Sequence, residues 1–461
     1  MARKVYISVL GTGLYSKCQY IREDAQFESD ETFFIQSATL QYINAKDWTS
    51  NDLGLILLTG FARKSNWDKA ITKRLNNSKQ EVDYEGLESV LQKMNLPFKI
   101  KDFPILDGNN EEEIWKIFTS TFNELNDGDE LYFDVTHAFR FLPMLILVLC
   151  DYAKFLKNVT IKSITYGNYE ARNKENNKAP IIDLLSLSQL QDWTYAAGTY
   201  LDSGNVNKLV EMSSVNYADY AEKLKETIAD FHTCRGISII ESSNIKQVKT
   251  LMDSMDTSDL PPLKFIFDKV KADFCKYDDV LNVKNGYESA KWCYKNQLYQ
   301  QAITILIETV ISDVCLYENL DWKMRANRDA ASNSLFICSD KKLINNEIGW
   351  IIFKREDKDK YQKDYLELKN KEEKTAEEID LMEKYDEEKK FKPKFLKDLL
   401  LYRQLVASRR VKELVELSSM IKDVRDDIDH AGMRNGARSF SEIETKLKEI
   451  FTTLNTIVPC S

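Results

Sequence analysis

The apolar and polar positions divide the chain into a first part that alternates strands with helices and a second part made of helices. Before about residue 190, short apolar runs alternate with segments whose apolar residues recur every three or four positions. The first pattern predicts buried strands and the second predicts amphipathic helices. The predicted strands cover residues 4–10, 53–60, 130–135 and 159–166, and the predicted helices cover 84–94, 111–125 and 141–155. This alternation is typical of a mostly parallel sheet with right-handed crossovers, so we predict an α/β Rossmann-like domain over residues 1–190.

From residue 193 onward, the pattern is almost entirely helical. The predicted helices cover residues 216–231, 263–275, 290–298, 302–317, 395–406, 411–424 and 440–457. We predict an all-α linker region over residues 191–284 and an all-α C-terminal domain over 285–461. Residues 354–394 are dense in Lys, Glu and Asp and poor in large apolar residues. That composition indicates a solvated helical excursion or a mobile insertion, and we expect no chemistry there.

Composition narrows the class of protein. The 461 residues carry a formal charge of −9, which argues against general coating of nucleic acid and leaves room for a local basic cleft. The N-terminus has no signal-peptide pattern, and the longest apolar run, residues 141–150, is too short to cross a bilayer. Eight cysteines occur without a CxxC pair, so neither a zinc site nor a disulfide framework is predicted. We therefore expect a cytoplasmic protein with no metal and no membrane partner.

Polar motifs follow three of the predicted strands. In an open parallel sheet, ligands bind beyond the carboxyl ends of the strands. The glycines of Gly11-Thr12-Gly13 would let backbone N–H groups approach a phosphate, although Ser16 replaces the third glycine of a dinucleotide fingerprint. The second motif is residues 134–140, at the turn from a strand into a helix. The third motif is residues 166–172, and its aromatic side chains could stack on bases. Each motif alone is equally consistent with a tight turn or an internal hydrogen-bond network; together they predict a polyvalent, phosphate-bearing ligand.

A second candidate site lies near the C-terminus, where Arg425 precedes His430 by five positions. Histidine can exchange a proton near neutral pH, and arginine can grip a phosphate with a forked pair of donors. The two side chains could therefore cleave RNA without a metal. The alternative is an exposed helix end at which both residues only pair with carboxylates. Because positions five apart on a helix differ by about 140° in direction, the pair would have to lie at a helix end or to act across two subunits.

The motifs, taken in order, resemble those of a CRISPR-associated Rossmann-fold (CARF) domain fused to a HEPN ribonuclease domain, the accessory ribonuclease family of type III CRISPR systems. The resemblance rests on residues 10–20, 57–67, 133–144 and 166–172 for the first domain and on 425–432 for the second. It covers residues 1–200 and about 285–461, and it is thin between these blocks and absent from the charged insertion.

The resemblance implies a ligand and a reaction. Such proteins bind cyclic oligoadenylate across a CARF dimer, and this allosteric activator switches on a composite HEPN site that cleaves single-stranded RNA. Four adenylates are expected, and six remain open. The residues carried over to the ligand site are Gly11, Thr12, Gly13, Thr59, Asn66, Thr136, His137 and Arg140. The residues carried over to the catalytic site are Arg425 and His430, with Asp426 orienting or supporting them; a second subunit would supply its own copies, and the expected product carries a 2′,3′-cyclic phosphate.

Other functions stay open at this point. The sheet domain could also cleave its own activator, with Thr12, Thr136 and His137 as the residues to suspect. The chain could instead be a non-catalytic sensor that dimerises on a nucleotide; a nicotinamide-dependent enzyme is disfavoured by Ser16. Basic residues near the Arg425–His430 motif could form a local rim that faces RNA, or they could be ordinary solvated helix surface. These residues are Arg403, Arg409, Arg410, Lys412, Arg434 and Arg438.

Overall fold

The computed structural model describes residues 2–68, 70–74, 81–137, 141–340, 344, 369–375, 379, 393–429, 433 and 437–458. The chain divides into two compact units, Met1–Asp192 and Trp193–Ser461. Three of the residues singled out above, Arg140, His430 and Arg434, lie outside the described residues, as does most of the charged insertion.

The first unit is organised around a mixed sheet. Its described strands are β1 Lys4–Val9, β2 Gln19–Arg22, β3 Phe27–Glu28, β4 Leu53–Leu58, β5 Ala70–Arg74, β6 Glu81–Glu85, β7 Lys99–Pro104, β8 Glu130–Asp134, β9 Thr160–Gly167 and β10 Lys178–Asp183. Eight of these described strands form one sheet in the order β3-β2-β10-β9-β8-β1-β4-β7, and β5 pairs with β6 in a separate hairpin. The strands from β9 to β7 run parallel, whereas β10 is antiparallel to β9 and β3 is antiparallel to β2.

Both faces of the sheet are covered, as a parallel sheet requires. The side chains of β1 alternate between two apolar cores: Val5, Ile7 and Val9 face one core, and Tyr6 and Leu10 face the other. The helices of this unit are α1 Ile35–Tyr42, α2 Gly60–Ala62, α3 Leu87–Lys93, α4 Glu111–Asn123 and α5 Leu142–Lys157, followed by α6 Leu185–Ser203. The predicted α/β class of the N-terminal region is thereby confirmed.

Several elements differ from the predictions. The helix predicted over residues 84–94 begins only at Leu87, because residues 84 and 85 belong to strand β6, where they pair with Ile71 and Ala70 of β5. Strands β2, β7 and β10 were not predicted. Their sequences are short or mix charged and apolar residues, and β10 contains Pro180, which argues against a strand when only the sequence is considered.

The second unit contains only helices among its described residues, which confirms the predicted class of the C-terminal region. After α6, the helices are α7 Asn207–Asn216, α8 Ala218–His232, α9 Gly236–Glu241, α10 Ile245–Asp253, α11 Leu263–Ala272, α12 Val283–Lys295, α13 Tyr299–Tyr317, α14 Arg325–Ser339, α15 Pro393–Ala407, α16 Arg409–Asp429 and α17 Phe440–Ile457. One apolar core runs from Trp193 to Leu454 and is continuous across residue 284. The boundary predicted at that position therefore stays a prediction.

None of the helices in the described part of the chain combines the length and the apolar content that a bilayer crossing needs.

Candidate functional site

Three neighbouring parallel strands bring the predicted ligand residues to one edge of the sheet. Strand β1 lies between β8 and β4, with Ser8 opposite Asp134 and Val9 opposite Leu57. The turns that follow these three strands therefore meet at the same edge. The described residues placed there are Gly11, Thr12, Gly13, Thr59, Thr136 and His137.

The end of β8 is held by the buried carboxylate of Asp134. Ser8 Oγ donates to Asp134 Oδ2 at 2.6 Å, while Thr136 donates to Oδ1 from its backbone N at 3.1 Å and from Oγ1 at 2.5 Å. Burial raises the pKa of Asp134, and these hydrogen bonds oppose the shift by stabilising the charged form. Gly167 N then donates to Thr136 Oγ1 at 2.8 Å. The Thr136 hydroxyl thus joins the ends of β8 and β9.

The glycine loop after β1 is fixed by an asparagine from the next strand end. The Nδ2 of Asn66, which is fully buried, donates to the carbonyl oxygens of Gly11 at 2.7 Å and Gly13 at 3.0 Å. Asn66 lies in a π-helical turn, Arg63–Trp67, a distortion that is frequent at functional sites. Thr59 is also buried, and its Oγ1 accepts from Ala62 N at 3.2 Å. These contacts indicate that Asn66 and Thr59 shape the loops around the ligand site.

His137 is stacked on Tyr15, which lies within the motif at residues 10–20 but is not among the predicted ligand residues. The ring centroids are 4.2 Å apart with an interplanar angle of 22°. A Cβ at position 11 would lie 2.7 Å from Tyr15 Oη, so any residue larger than Gly11 would push the tyrosine ring away from the histidine. Burial lowers the pKa of His137 to about 4, so the imidazole is neutral near pH 7.

The strand end after β9 presents an aromatic ring that already has a cationic neighbour. The guanidinium of Arg172 lies 4.3 Å from the centroid of the Tyr169 ring and hydrogen-bonds the tyrosine hydroxyl. Asn168 caps this short turn through Ala171 N at 3.3 Å. A base that stacked on Tyr169 would have to share the ring with Arg172 or displace it.

Arg425 lies in the last turn of the described part of helix α16. Positions such as Ile421 and Val424 bury one face of this helix, and the Arg425 side chain is 39% exposed beside them. Its Nε lies 3.4 Å from Asp429 Oδ2, and Nη2 lies 3.8 Å from Asp426 Oδ1. The Nε atom is buried and has no partner with hydrogen-bond geometry among the described residues. The guanidinium therefore lies near two carboxylates, but its Nε atom forms no hydrogen bond with them.

The chain that follows the Arg425–His430 motif returns to the same helix at Arg438. The Arg438 Nη2 atom donates to both carboxylate oxygens of Asp423 at 2.8 Å, and Nη1 donates to the Asp423 carbonyl at 3.1 Å. Arg438 N also donates to the buried carboxylate of Asp427 at 3.1 Å. Arg438 is thereby anchored to helix α16 beside Asp423 and Asp427.

Arg409, Arg410 and Arg438 of the predicted basic rim form ion pairs. Arg410 donates to Asp313 from Nε at 3.0 Å and from Nη2 at 2.6 Å, and both side chains are mostly buried. Arg409 pairs with Glu413, and Arg438 pairs with Asp423. Arg410 therefore belongs to the interior of the helical unit rather than to a rim that faces RNA.

The fold and the polar strand ends together define a mostly parallel α/β domain with a candidate ligand site at one edge of the sheet. Residues 5–170 match the family model described as the CARF domain of the CRISPR system endoribonuclease Csx1. The chain is also similar to the CRISPR-associated protein MJ1674 of Methanocaldococcus jannaschii, with 27% identity over 368 residues that cover 69% of this chain and 55% of that protein. It thus spans about half the length of that relative. The comparisons thus support a CARF-type domain at residues 5–170 in a chain that is similar to a CRISPR-associated protein.

Proposed function

We propose that this protein is a metal-independent endoribonuclease for single-stranded RNA that a cyclic oligoadenylate activates in type III CRISPR defence. The observation that carries the proposal is the meeting of three polar strand ends at one edge of a CARF sheet. The reaction itself is proposed from Arg425 and His430.

The activator would bind at the carboxyl ends of β1, β4 and β8. Backbone N–H groups of residues 11–13 suit phosphates, and the neutral ring of His137 suits an adenine better than a charged imidazole would. Arg140 is proposed as a counter-charge at the same edge. Cyclic tetraadenylate is the expected ligand, with cyclic hexaadenylate as the alternative.

A homodimer fits a cyclic ligand with two-fold symmetry, since each subunit then uses the same patch. Helix α5, which follows the His137 strand end, exposes the apolar side chains of Met144, Val148 and Phe155. These positions share one helical face by their spacing. Such a face is suited to contact with a second copy next to the ligand site, which supports the proposed dimer.

The proposed reaction is an internal transesterification. The ribose 2′-oxygen forms a bond to the adjacent phosphorus while the bond from phosphorus to the 5′-oxygen breaks. The imidazole of His430 takes the 2′-hydroxyl proton or delivers a proton to the leaving 5′-oxygen. Arg425 stabilises the negative charge of the phosphorane. The products are a 2′,3′-cyclic phosphate and a 5′-hydroxyl, and Asp426 supports Arg425 through its nearby carboxylate.

The test uses labelled single-stranded RNA with cyclic tri-, tetra- and hexaadenylate. We expect cleavage by the wild type with one ring size, resistance of that cleavage to EDTA, and loss of it in Arg425→Ala and His430→Ala. Arg409→Ala is the matched control, because it removes an exposed arginine from the other end of the same helix. Cleavage that needs no activator, or that persists in both site variants, would contradict the proposal.

A second activity, cleavage of the activator by the CARF domain itself, is favoured by one observation. His137 lies beside Thr136 at the strand end where the activator is proposed to bind, so its neutral ring can hydrogen-bond a ribose hydroxyl there, although the lowered pKa makes it a weak proton acceptor. Chromatography of the activator after incubation with wild type and His137→Phe would show linear products only from the wild type. An intact activator together with intact RNA would instead favour a non-catalytic sensor.

A further inference from the structure

Lys422 lies one helical turn before Arg425 on helix α16. Residues three apart on a helix are neighbours on its surface. Both side chains are partly exposed at the border between the buried positions, such as Ile421, and the exposed positions, such as Asp426. The Lys422 Nζ atom lies 5.4 Å from the centroid of the Phe336 ring on helix α14, and this contact holds the lysine beside the helix surface.

The two cations differ in their compensation, because Arg425 has carboxylates within ion-pair distance and Lys422 has none among the described residues. Asp423, the acidic neighbour of Lys422 in the sequence, accepts hydrogen bonds from Arg438 Nη2 at both of its carboxylate oxygens. Asp429 pairs with Arg425. Within the part of the chain that the structure describes, no carboxylate lies within ion-pair distance of Lys422. Burial, and next the charge of Arg425, lower the pKa of Lys422, whereas Asp426 acts in the opposite direction.

We propose that Lys422 is a second phosphate-binding cation of the ribonuclease site, and that it binds a phosphodiester of the RNA strand together with Arg425. This inference rests on the proposed ribonuclease function and deepens it. A bound phosphate would relieve the repulsion between the two neighbouring cations. An isolated surface lysine has no such repulsion to relieve. The compact ammonium acts as a point charge on a phosphate, while the arginine supplies the directed fork.

The experiment measures binding of a 2′-O-methyl RNA oligonucleotide, which lacks the attacking hydroxyl and cannot be cleaved. Fluorescence anisotropy gives the dissociation constant of the full chain at several salt concentrations, with saturating cyclic tetraadenylate and, separately, cyclic hexaadenylate. Each phosphate contact to a single strand contributes about 0.7 to the slope of log affinity against log salt. We expect Lys422→Met, which keeps the aliphatic stem near Phe336, to reduce that slope by about 0.7, and we expect Lys422→Arg to retain it.

Lys446→Met is the matched control, because Lys446 is an exposed lysine of the same helical unit paired with Glu449. It should leave the slope unchanged. A second measurement uses the wild type and so does not depend on how a variant folds: RNA should protect Lys422, but not Lys446, from acetylation read by mass spectrometry. The inference is overturned if the slope is equal in Lys422→Met and wild type, including the case in which neither binds RNA. It is also overturned if Lys422 is acetylated equally with and without RNA. Absence of cleavage with intact RNA binding would overturn the proposed function alone.

Discussion

Replacing Arg410 is expected to destabilise the helical unit strongly, whereas replacing its neighbour Arg409 is not. Arg410 and Asp313 are only 16% and 7% exposed, and Asp313 also accepts from the hydroxyl of Tyr287 at 2.5 Å. Arg410→Met keeps most of the side-chain volume but leaves the Asp313 carboxylate buried without its cation. Loss of one partner from a buried ion pair costs about 3–5 kcal/mol. The pair of Arg409 and Glu413 is exposed and screened by solvent, so its loss should change stability little.

Urea unfolding of the full chain, followed by far-UV circular dichroism, measures both changes. The double variant Arg410→Met/Asp313→Leu should recover much of the loss, because no charge then remains buried. We expect it to stay about 1–3 kcal/mol below wild type, since the Tyr287 hydroxyl loses its acceptor. A loss below about 1 kcal/mol in Arg410→Met, together with weaker RNA binding, would refute the reasoning and return Arg410 to the proposed basic rim.

Three further predictions concern the two candidate sites. Arg425→Lys keeps the charge but loses the forked grip, so the rate of RNA cleavage should fall by about 10²–10³-fold while the urea midpoint is unchanged; a wild-type rate would argue against a role for the fork. Thr136→Val removes the hydroxyl between Asp134 and Gly167, so we expect a loss of about 1–3 kcal/mol in unfolding free energy and weaker activator binding by calorimetry, with Thr136→Ser as the control. The third prediction follows from the pKa of His137, which burial lowers to about 4. Between about pH 6.5 and 4 the unfolded chain takes up a proton that the folded chain does not, so stability is lost as the pH falls, by up to about 3 kcal/mol. Thermal melting across this range should show a smaller loss in His137→Phe, and an equal loss would contradict the assignment.

The central strands could be predicted because they are buried on both faces. The apolar runs at 4–10, 53–60, 130–135 and 159–166 correspond to β1, β4, β8 and β9, which lie next to one another within the sheet. Strand β7 lies at the edge of the described sheet and three of its six residues are charged, so its apolar content does not distinguish it from a loop. In β10, the pairing with β9 and β2 outweighs the cost of Pro180, and this pairing depends on residues distant in sequence.

The candidate sites were predictable only as far as they consist of contiguous residues. The Thr136 hydroxyl and the Gly11 loop belong to motifs that can be seen in the sequence. Their partners cannot, because Ser8 is 126 positions from Asp134 and Asn66 is 55 positions from Gly11. Such pairs are set by strand order and register, which a local pattern does not specify.

The helix that carries Arg425 is fixed at both of its described ends, and this gives the proposed ribonuclease site its orientation. Near the first end, Arg410 is bonded to the buried Asp313 of helix α13. Near the other end, Asp423 and Asp427 bind Arg438. Fifteen residues separate Arg410 from Arg425, or about 22 Å along the helix axis, and a rotation of the helix would break both anchors and expose its apolar face. The direction of the Arg425 side chain therefore follows from contacts made about half a turn away at Asp423 and about four turns away at Arg410, neither of which belongs to the Arg-x4-His motif.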